Sequence, residues 1–485
     1  MPAKRLLVAP ILPDPFRDAM RHRDALWMAG AALALAVLTI AVGERIGVNG
    51  GLGWDGMGYA LWARDFGHEV LDKGVTVYHA QRQLPPALVH YVVRTDDVVR
   101  GFQLLDAACL VVAAYLWGRI GLVLAWSRAA AWAGFAAVFA SFAIARHALY
   151  YPTLTDATAF VLGMAMTWAF LARRPLALWL VALAGAFTWP ALPAVALGLL
   201  VLRPAPLVGE PVGRPLAAVV AVGGALGACA VAVHYLGAPV PGDEKWVTHV
   251  PRALLVVTLP VLAAWTCAAW YAIARASTGL VAYGRQLVAW RTLLALVGVA
   301  LVYLLRALWI HRVATQGAGP TGAQFACELA LEALRGPAWG LVHHVVYFGP
   351  IVLVAIGAWR EVARLAASWG PGALLALALI VAFAIGSESR QWLHLFPLLA
   401  ALTIAATHAW WTPRRAAIFV AMCLAWSKLW WPIHYVHPTS PFEWPALRYF
   451  MQQGPWASDA TFLVHLGAAA VTALALLLLR SAPAS

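Results

Sequence analysis

Long apolar runs recur along this chain from Leu26 to Leu479, and no long polar interval separates them. Of its 485 residues, 63% are hydrophobic and only 11% are charged. A water-soluble core cannot absorb so much apolar surface, whereas a bilayer can. The sequence therefore predicts an all-α, polytopic transmembrane bundle that forms a single membrane domain over residues 1–485.

A helix needs about 20 apolar residues to cross a bilayer, and this length predicts roughly twelve spans. The predicted spans cover residues 26–43, 101–118, 129–145, 153–172, 215–237, 253–274, 292–310, 343–359, 371–386, 391–411, 416–432 and 461–479. The further run 176–202 is too long for one helix and is interrupted by Thr188, Pro190 and Pro193. We predict two short helices there that form a re-entrant hairpin.

Charge orients the predicted bundle. With a re-entrant hairpin, the segment 1–25 and the C-terminus share the side on which Lys and Arg outnumber Asp and Glu, as in cytoplasmic loops. We therefore expect a multi-pass protein of a bacterial inner or plasma membrane, with both termini in the cytoplasm. The net charge of +13 follows from this topology, so nucleic acid is not an expected partner.

The opposite, outer side receives the long loops, of which residues 44–100 form the largest. Within this loop, residues 56–66 and 85–99 are amphipathic enough to form helices that lie on the membrane surface. Residues 324–334 have the same character in a later outer loop. Function is therefore sought on this side.

Asp55 lies in a glycine-rich stretch, residues 49–59, that follows the first span and has too many glycines to cross the membrane. Trp54 and Tyr59 lie close to it in the chain. A carboxylate can accept a proton from a sugar hydroxyl, and the aromatic rings can support the sugar ring. The alternative is a turn aspartate that caps a helix beginning at Gly56. We take Asp55 as the candidate catalytic base.

Asp156 is predicted one turn inside the outer end of a span. An ionisable group at the centre of a membrane helix costs about 2.5 to 3.5 kcal/mol, and less near the interface, so it calls for a partner or a role. Asp156 can support Asp55 or bind a metal ion with it, or it can be an acid that the helix dipole favours. Arg306 lies nearer the middle of its span and can bond to a neighbouring helix.

Cations at the outer surface are candidates for binding the phosphate of a lipid-linked substrate. An arginine binds phosphate through paired donors, which makes Arg146 and Arg390 candidates together with His147 and His394. The alternatives are a snorkelling arginine or an ion pair between Arg390 and Glu388. Weaker members of this group are Lys245, His249, Arg252, His343, His344, His434 and His437.

Other chemistry finds no support in the sequence. The five cysteines fit neither a disulfide framework nor a zinc site. There is no Walker loop, dinucleotide fingerprint, metalloprotease motif or nucleophile elbow. Nucleotide binding and hydride transfer are therefore not expected.

Taken together, these features form a recognisable layout. One helix precedes a large outer loop with an early acid, Asp55, and a second acid, Asp156, follows the second outer loop. A proline-bearing hairpin comes next, and Glu388 and Arg390 precede an apolar helix that contains Pro397. This layout resembles the GT-C superfamily of integral membrane glycosyltransferases.

The resemblance implies transfer of a hexose or pentose from a polyprenyl-phosphate donor to a glycan, lipid or protein acceptor on the outer face of the membrane. It implies that Asp55 is the general base and that Arg390 and Arg146 hold the donor phosphate. Many members carry two adjacent acids where this chain has Asp55 and Gly56. If a divalent metal ion takes part, Asp156 can supply the second ligand.

Three alternatives remain open. A transporter or flippase of lipid-linked sugars predicts ionisable residues near the bilayer midplane and an internal repeat. A polysaccharide polymerase or ligase favours a catalytic loop late in the chain, such as residues 311–342 or 434–459. An inactive family member would scaffold an envelope complex. Most acids outside the predicted cytoplasmic loops crowd the outer surface, which favours the transferase.

Overall fold

A computed structural model describes the ranges 20–202, 211–237, 250–277, 290–317, 319, 321–431, 454 and 457–481. The regular structure in these ranges is helical, with no β-strand and one isolated bridge between Val75 and Ala314. The prediction of an all-α protein is therefore confirmed. Four candidate side chains lie outside these ranges, as does most of the segment 1–25: Lys245, His249, His434 and His437.

The α-helices follow one another along the chain. They are α1 (His22–Val42), α2 (Gly56–Arg64), α3 (Val77–Ala80), α4 (Leu84–Leu88), α5 (Val98–Val123), α6 (Arg128–Phe139), α7 (Ala148–Tyr150), α8 (Asp156–Leu171), α9 (Pro175–Gly185), α10 (Leu192–Val201), α11 (Arg214–Gly237), α12 (Leu255–Ala276), α13 (Trp290–Val313), α14 (Gly322–Glu332), α15 (Trp339–Phe348), α16 (Ile351–Gly357), α17 (Trp359–Trp369), α18 (Pro371–Phe383), α19 (Phe396–Ala406), α20 (Pro413–Trp426) and α21 (Asp459–Ser481). Short 3₁₀ turns cover Val48–Gly51, Arg252–Leu254, Ser389–Trp392 and His408–Trp410, and π-helical turns cover Gly67–Asp72, Val89–Val93 and Phe142–His147.

Within the described ranges, six helices are long and apolar enough to cross a membrane, namely α1, α5, α11, α12 (with its preceding turn), α13 and α21. Helix α6 and the segment Phe142–Tyr150 meet at a bend of 53° and form a seventh candidate if they are one span. The predicted spans at 153–172, 371–386 and 391–411 contain helices of only 16, 13 and 11 residues. These are shorter than the roughly 20 residues of a straight span. The helical membrane class is supported, whereas the count of twelve spans is not confirmed.

The predicted hairpin at 176–202 forms two short helices, α9 and α10, which pack against each other. Pro193 lies in the first turn of α10, where a missing N–H costs nothing because it has no partner within the helix. Of the predicted surface helices, 56–66 and 324–334 correspond to α2 and α14. The third, 85–99, is split between α4 and the π-helical turn Val89–Val93.

Helix α5 packs against α1 and α8. The approach of α1 is close, because a Cβ at Gly118 would overlap Ala25. Helices α5 and α8 both begin at the end of the bundle where α1 finishes, and the first long loop covers this end. We call it the site end.

The first long loop is anchored on α13 as well. The Trp309 indole donates a hydrogen bond to the carbonyl of Ala80 at 2.9 Å, and the Arg306 guanidinium donates to the side chain of Gln81. Arg306 therefore bonds to this loop and not, as the sequence left open, to a neighbouring helix. These contacts fix the turn between α3 and α4.

Gly163 in α8 tests this packing. A Cβ at this position would overlap the main chain of His394, which cannot move aside easily. Gly163→Ala should therefore lower the free energy of unfolding by about 1 to 3 kcal/mol. Gly223 in α11 has nothing within 4 Å of the same position, so Gly223→Ala should keep or raise stability as alanine favours the helix. Thermal unfolding of the purified variants measures both, and equal midpoints would contradict the contact.

Candidate functional site

Asp55 is placed by a glycine-rich loop that lies directly on the segment before α8. The Gly56 N–H donates to the Tyr151 hydroxyl at 3.3 Å, and the Thr153 hydroxyl donates to the main chain of the loop at 3.0 Å. A Cβ at Gly53 would overlap the Tyr151 ring, and one at Gly56 would overlap Thr153. The glycines are therefore required for the close contact between the two loops.

The same contact explains why a glycine follows Asp55. A second acid at position 56 would place its Cβ against Thr153. The chain thus departs from the pattern of two adjacent acids for a steric reason, and Asp55 stands alone at the start of α2.

The Asp55 carboxylate lies near three tyrosines, Tyr59, Tyr78 and Tyr151. Asp55 is the N-cap of α2, as the capping alternative predicted, but its side chain accepts no capping hydrogen bond and is exposed. Burial, together with the nearby Asp55 charge, raises the pKa of Tyr59, Tyr78 and Tyr151, to about 12 for Tyr151. The hydroxyls therefore stay protonated at neutral pH. The exposed Trp54 ring lies edge-on to Tyr151, with the ring centres 6.5 Å apart.

Arg82, in the turn between α3 and α4, is a site residue that the sequence did not reveal. The central carbon of its guanidinium lies 4.4 Å from the ring centre of Tyr78 and 4.6 Å from that of Trp189. We call these three residues the Arg82 stack. The Arg82 side chain is only 6% exposed, and among the described residues its Nε has no hydrogen-bond partner. No carboxylate in this part of the chain lies within ion-pair distance of it.

Such a guanidinium is well suited to bind an anion. Contact with two aromatic rings restricts the movement of the guanidinium, and burial strengthens its attraction to a negative group. Arg82 is hard to recognise in the sequence, because it lies among polar residues of a long loop and Trp189 comes from the distant hairpin. Only the folded chain brings the two together.

Arg390, the predicted phosphate ligand, is instead paired with Asp156. Its Nε and Nη2 donate to the two Asp156 carboxylate oxygens at 2.9 and 3.1 Å, and both side chains are buried. The predicted contact with Glu388 is also present, at 3.8 Å from Nη1. Two carboxylates therefore share the Arg390 charge, which leaves little of it for a phosphate.

Asp156 does not fit the role of metal ligand. Both of its oxygens accept from Arg390, so a metal ion would have to displace the guanidinium. Over the described ranges, no three His, Cys, Asp or Glu side chains are grouped so that they could hold a metal ion. The geometry assigns Asp156 to positioning Arg390 and not to a metal shared with Asp55.

Residues 387–390, which include Arg390, are held in place by hydrogen bonds to Glu332 at the end of α14. One Glu332 oxygen accepts from the Ser387 N–H at 2.5 Å, the Ser387 hydroxyl at 2.9 Å and the Glu388 N–H at 3.0 Å. The His344 ring lies 2.8 Å from the Ser389 hydroxyl. The sequence did not predict this anchor, which fixes the segment from two helices.

The other predicted cations also have partners. Arg146 donates to Glu44 at 2.5 Å, so its charge is neutralised at the end of α1. His147 is buried with Nδ1 at 3.2 Å from the Tyr347 hydroxyl, close enough to the Asp156 and Arg390 pair to feel both charges. These contacts give Arg146 and His147 parts in the packing around the site.

His394 lies behind the Arg82 stack. Its ring centre is 6.4 Å from that of Trp189, and it is completely buried. Neither of its ring nitrogens has a hydrogen-bond partner in the portion of the chain that the structure describes. The Trp189 indole itself donates to the Gln391 carbonyl at 3.3 Å, which links the stack to the segment that carries Arg390.

The part of the site around Asp55 and Arg82 and the part around Glu388 and Arg390 are close enough to form one electrostatic cluster. The charges of Arg82, Asp55, Glu388 and Arg390 all act on the Tyr78 hydroxyl. The structure thus brings together the predicted Asp55, Tyr59, Glu388 and Arg390 with the unpredicted Arg82, Tyr78 and Tyr151.

No protein-family model, no curated protein and no solved structure matches this chain. The resemblance to the GT-C superfamily therefore stays a prediction. Function has to be argued from the geometry of the site.

Glu332 should make stability depend on pH. Burial, and then the Glu388 charge, raise its pKa from the ordinary 4.5 to about 8. Between these values the folded protein holds a proton that the unfolded chain releases, so this contribution is full below pH 4.5 and is lost as pH rises through 8. Glu332→Gln keeps a carbonyl acceptor and should flatten the fall of the thermal midpoint over this range.

The matched control is Glu361→Gln in α17, where the side chain is 45% exposed and pairs with Arg364. This variant should keep the wild-type slope. A Glu332→Gln protein with the wild-type pH profile would contradict the burial of a protonated Glu332.

Proposed function

We propose that this protein is a membrane glycosyltransferase that moves a sugar from a polyprenyl-phosphate donor to an acceptor hydroxyl. One observation carries the proposal: the exposed carboxylate of Asp55 and the buried guanidinium of Arg82, which has no ion-pair partner among the described residues, both lie near the same buried tyrosine, Tyr59. A base and an anion site are the two groups that this reaction needs.

Asp55 would act as the base. Its carboxylate is not used by α2 as a cap, so it is available to take the proton of the acceptor hydroxyl. The acceptor oxygen then forms a bond to the anomeric carbon, and the bond from that carbon to the phosphate oxygen breaks. The exposed Trp54 ring and the protonated Tyr151 hydroxyl offer the sugar a stacking face and a donor.

We assign the donor phosphate to Arg82 and not to Arg390 and Arg146, since carboxylates already neutralise those two. The phosphate leaves with the electron pair of the broken bond and so gains negative charge. Arg82, desolvated and restricted in its movement, stabilises that charge more in the transition state than in the bound donor.

A cavity supports a lipid-linked substrate. Its volume is about 510 Å³, and most of its lining is apolar. At one end lie Trp392 and His344, and the latter bonds to Ser389 next to Arg390. Arg360 and Arg480 also line it. An isoprenoid chain would match such walls, which include neither Asp55 nor Arg82.

A transporter or flippase of lipid-linked sugars is the second candidate. One observation favours it: Asp106 lies buried within α5, about 12 Å along the helix axis from its start. Transporters place ionisable groups at such depths. An exposed base beside an anion site has no evident use in transport, and this favours the transferase.

The polymerase or ligase reading has less support. In the loop 311–342, Glu332 is buried and anchors the segment 387–390, so it is not available to a substrate. Residues 434–459 lie mostly outside the described ranges.

Asp55→Asn should reduce transfer by roughly 100- to 10,000-fold, because the base is lost while the fold is not altered. The assay offers radiolabelled polyprenyl-phosphate sugars to purified protein in lipid vesicles. The control is Asp65→Asn at the other end of α2, also exposed, which should retain transfer. Full activity of Asp55→Asn would contradict the role of Asp55 as the general base. Label that crosses the bilayer without transfer would favour the transporter. If the label is neither transferred nor moved across the bilayer, the result would indicate an inactive scaffold.

Arg82→Lys should raise the KM for the donor by about tenfold and should also lower kcat, because lysine keeps the charge but neither stacks on aromatic rings as arginine does nor binds phosphate through two parallel donors. The thermal midpoint should change little. Arg64→Lys, an exposed position in the last turn of α2, is the control and should leave the KM unchanged. If Arg82→Lys does not change the KM for the donor, the donor phosphate does not bind at Arg82.

A further inference from the structure

Buried polar side chains without partners gather between α5 and α8. Among the described residues, both Asp106 oxygens, both polar atoms of the Gln103 amide and the Thr155 hydroxyl make no hydrogen bond. Each of these side chains is only 1% exposed. The Thr158 hydroxyl is 4% exposed and lies near the Cys109 thiol, a weak donor, without a hydrogen bond of ordinary geometry. Burial of one such group costs about 1 to 3 kcal/mol, so a cluster of them points to a ligand.

Helix geometry places these groups on one strip of the interface. Helices α5 and α8 pack together and run in the same direction from the site end. Cys109 packs in one cluster with Ala157, the residue before Thr158, and this contact sets the register between the two helices to within one residue. Three residues back along each helix, about 4.5 Å towards the site end, Asp106 is therefore level with Thr155. Gln103 lies one turn further on the same side of α5.

Charge limits what the strip can bind. Asp106 has no ion-pair partner in the described ranges, and the neighbouring Asp156 is already neutralised by Arg390. A carboxylate in a membrane interior is neutralised either by a proton or by one compensating positive ion. A divalent ion would leave an excess positive charge there, whereas a monovalent ion would balance Asp106.

The donor set specifies the kind of ion. A carboxylate and two hydroxyls are hard oxygen ligands, which suit alkali and alkaline-earth cations better than transition metals. We propose that Asp106, Thr155 and Thr158 bind one Na⁺ ion between α5 and α8. The ion would tie the first turn of α8, which carries Asp156, to α5. This proposal does not depend on the transferase reaction.

Radioactive Na⁺ binding to the purified full-length protein in lipid nanodiscs tests the site, with choline as the replacement cation. The wild type should bind one ion per chain. Thr155→Val removes one oxygen at nearly constant shape and should weaken binding by about tenfold, and Asp106→Asn should abolish it. The control is Thr167→Val, also buried in α8, whose hydroxyl donates to the Gly163 carbonyl at 2.9 Å. It should bind Na⁺ as the wild type does.

Absence of Na⁺ binding by the wild type, or equal binding by Thr155→Val and Thr167→Val, would overturn the site. An infrared carbonyl band of a protonated acid would also overturn the site if Asp106→Asn removes the band and Na⁺ does not change it. The charge of Asp106 would then be neutralised by a proton and not by Na⁺. Sugar transfer by the same preparations is measured separately. A failed Na⁺ site with intact, Asp55-dependent transfer would leave the proposed function unaffected.

Discussion

The buried pair of Asp156 and Arg390 is the interaction on which the site depends. It joins the first turn of α8 to the segment before α19, and loss of one partner would leave an uncompensated charge that costs about 3 to 5 kcal/mol. The same segment presents the Gln391 carbonyl to the Trp189 indole, and Trp189 forms one face of the Arg82 stack. The pair of Asp156 and Arg390 need not touch the substrate. Through Trp189 it helps to position Arg82, which we expect to bind the donor phosphate.

The arginines of the site end differ in whether a carboxylate neutralises their charge. Arg146 is paired with Glu44 and Arg390 with Asp156, so both stabilise the packing of helix ends. Arg82 is held by aromatic rings instead of a carboxylate, which keeps its positive charge available while water is excluded. Its position depends on the anchoring of the first loop by α13.

Local features of the fold were predictable from the sequence, and long-range ones were not. The break in the hairpin and the helix that begins at Gly56 follow from proline and glycine positions, and the structure contains both. The number of spans does not follow from apolar length, because the predicted span at 343–359 is interrupted after Phe348 and the apolar helix α19 is too short to cross alone. A count of apolar residues cannot show such breaks when neighbouring helices shield them.

The sequence by itself determined the class of protein, because a chain that is 63% hydrophobic cannot bury its apolar surface in a water-soluble core, and its long apolar runs favour helices that satisfy the backbone within a membrane. It also indicated Asp55, since the glycines that surround it exclude a span. Only the tertiary structure decided which charges are paired. Asp156 and Arg390 are 234 residues apart in the chain, and Arg82 meets Trp189 from the connection between α9 and α10. Ion pairing and stacking depend on distances of a few ångströms, and those distances exist only after the helices have packed.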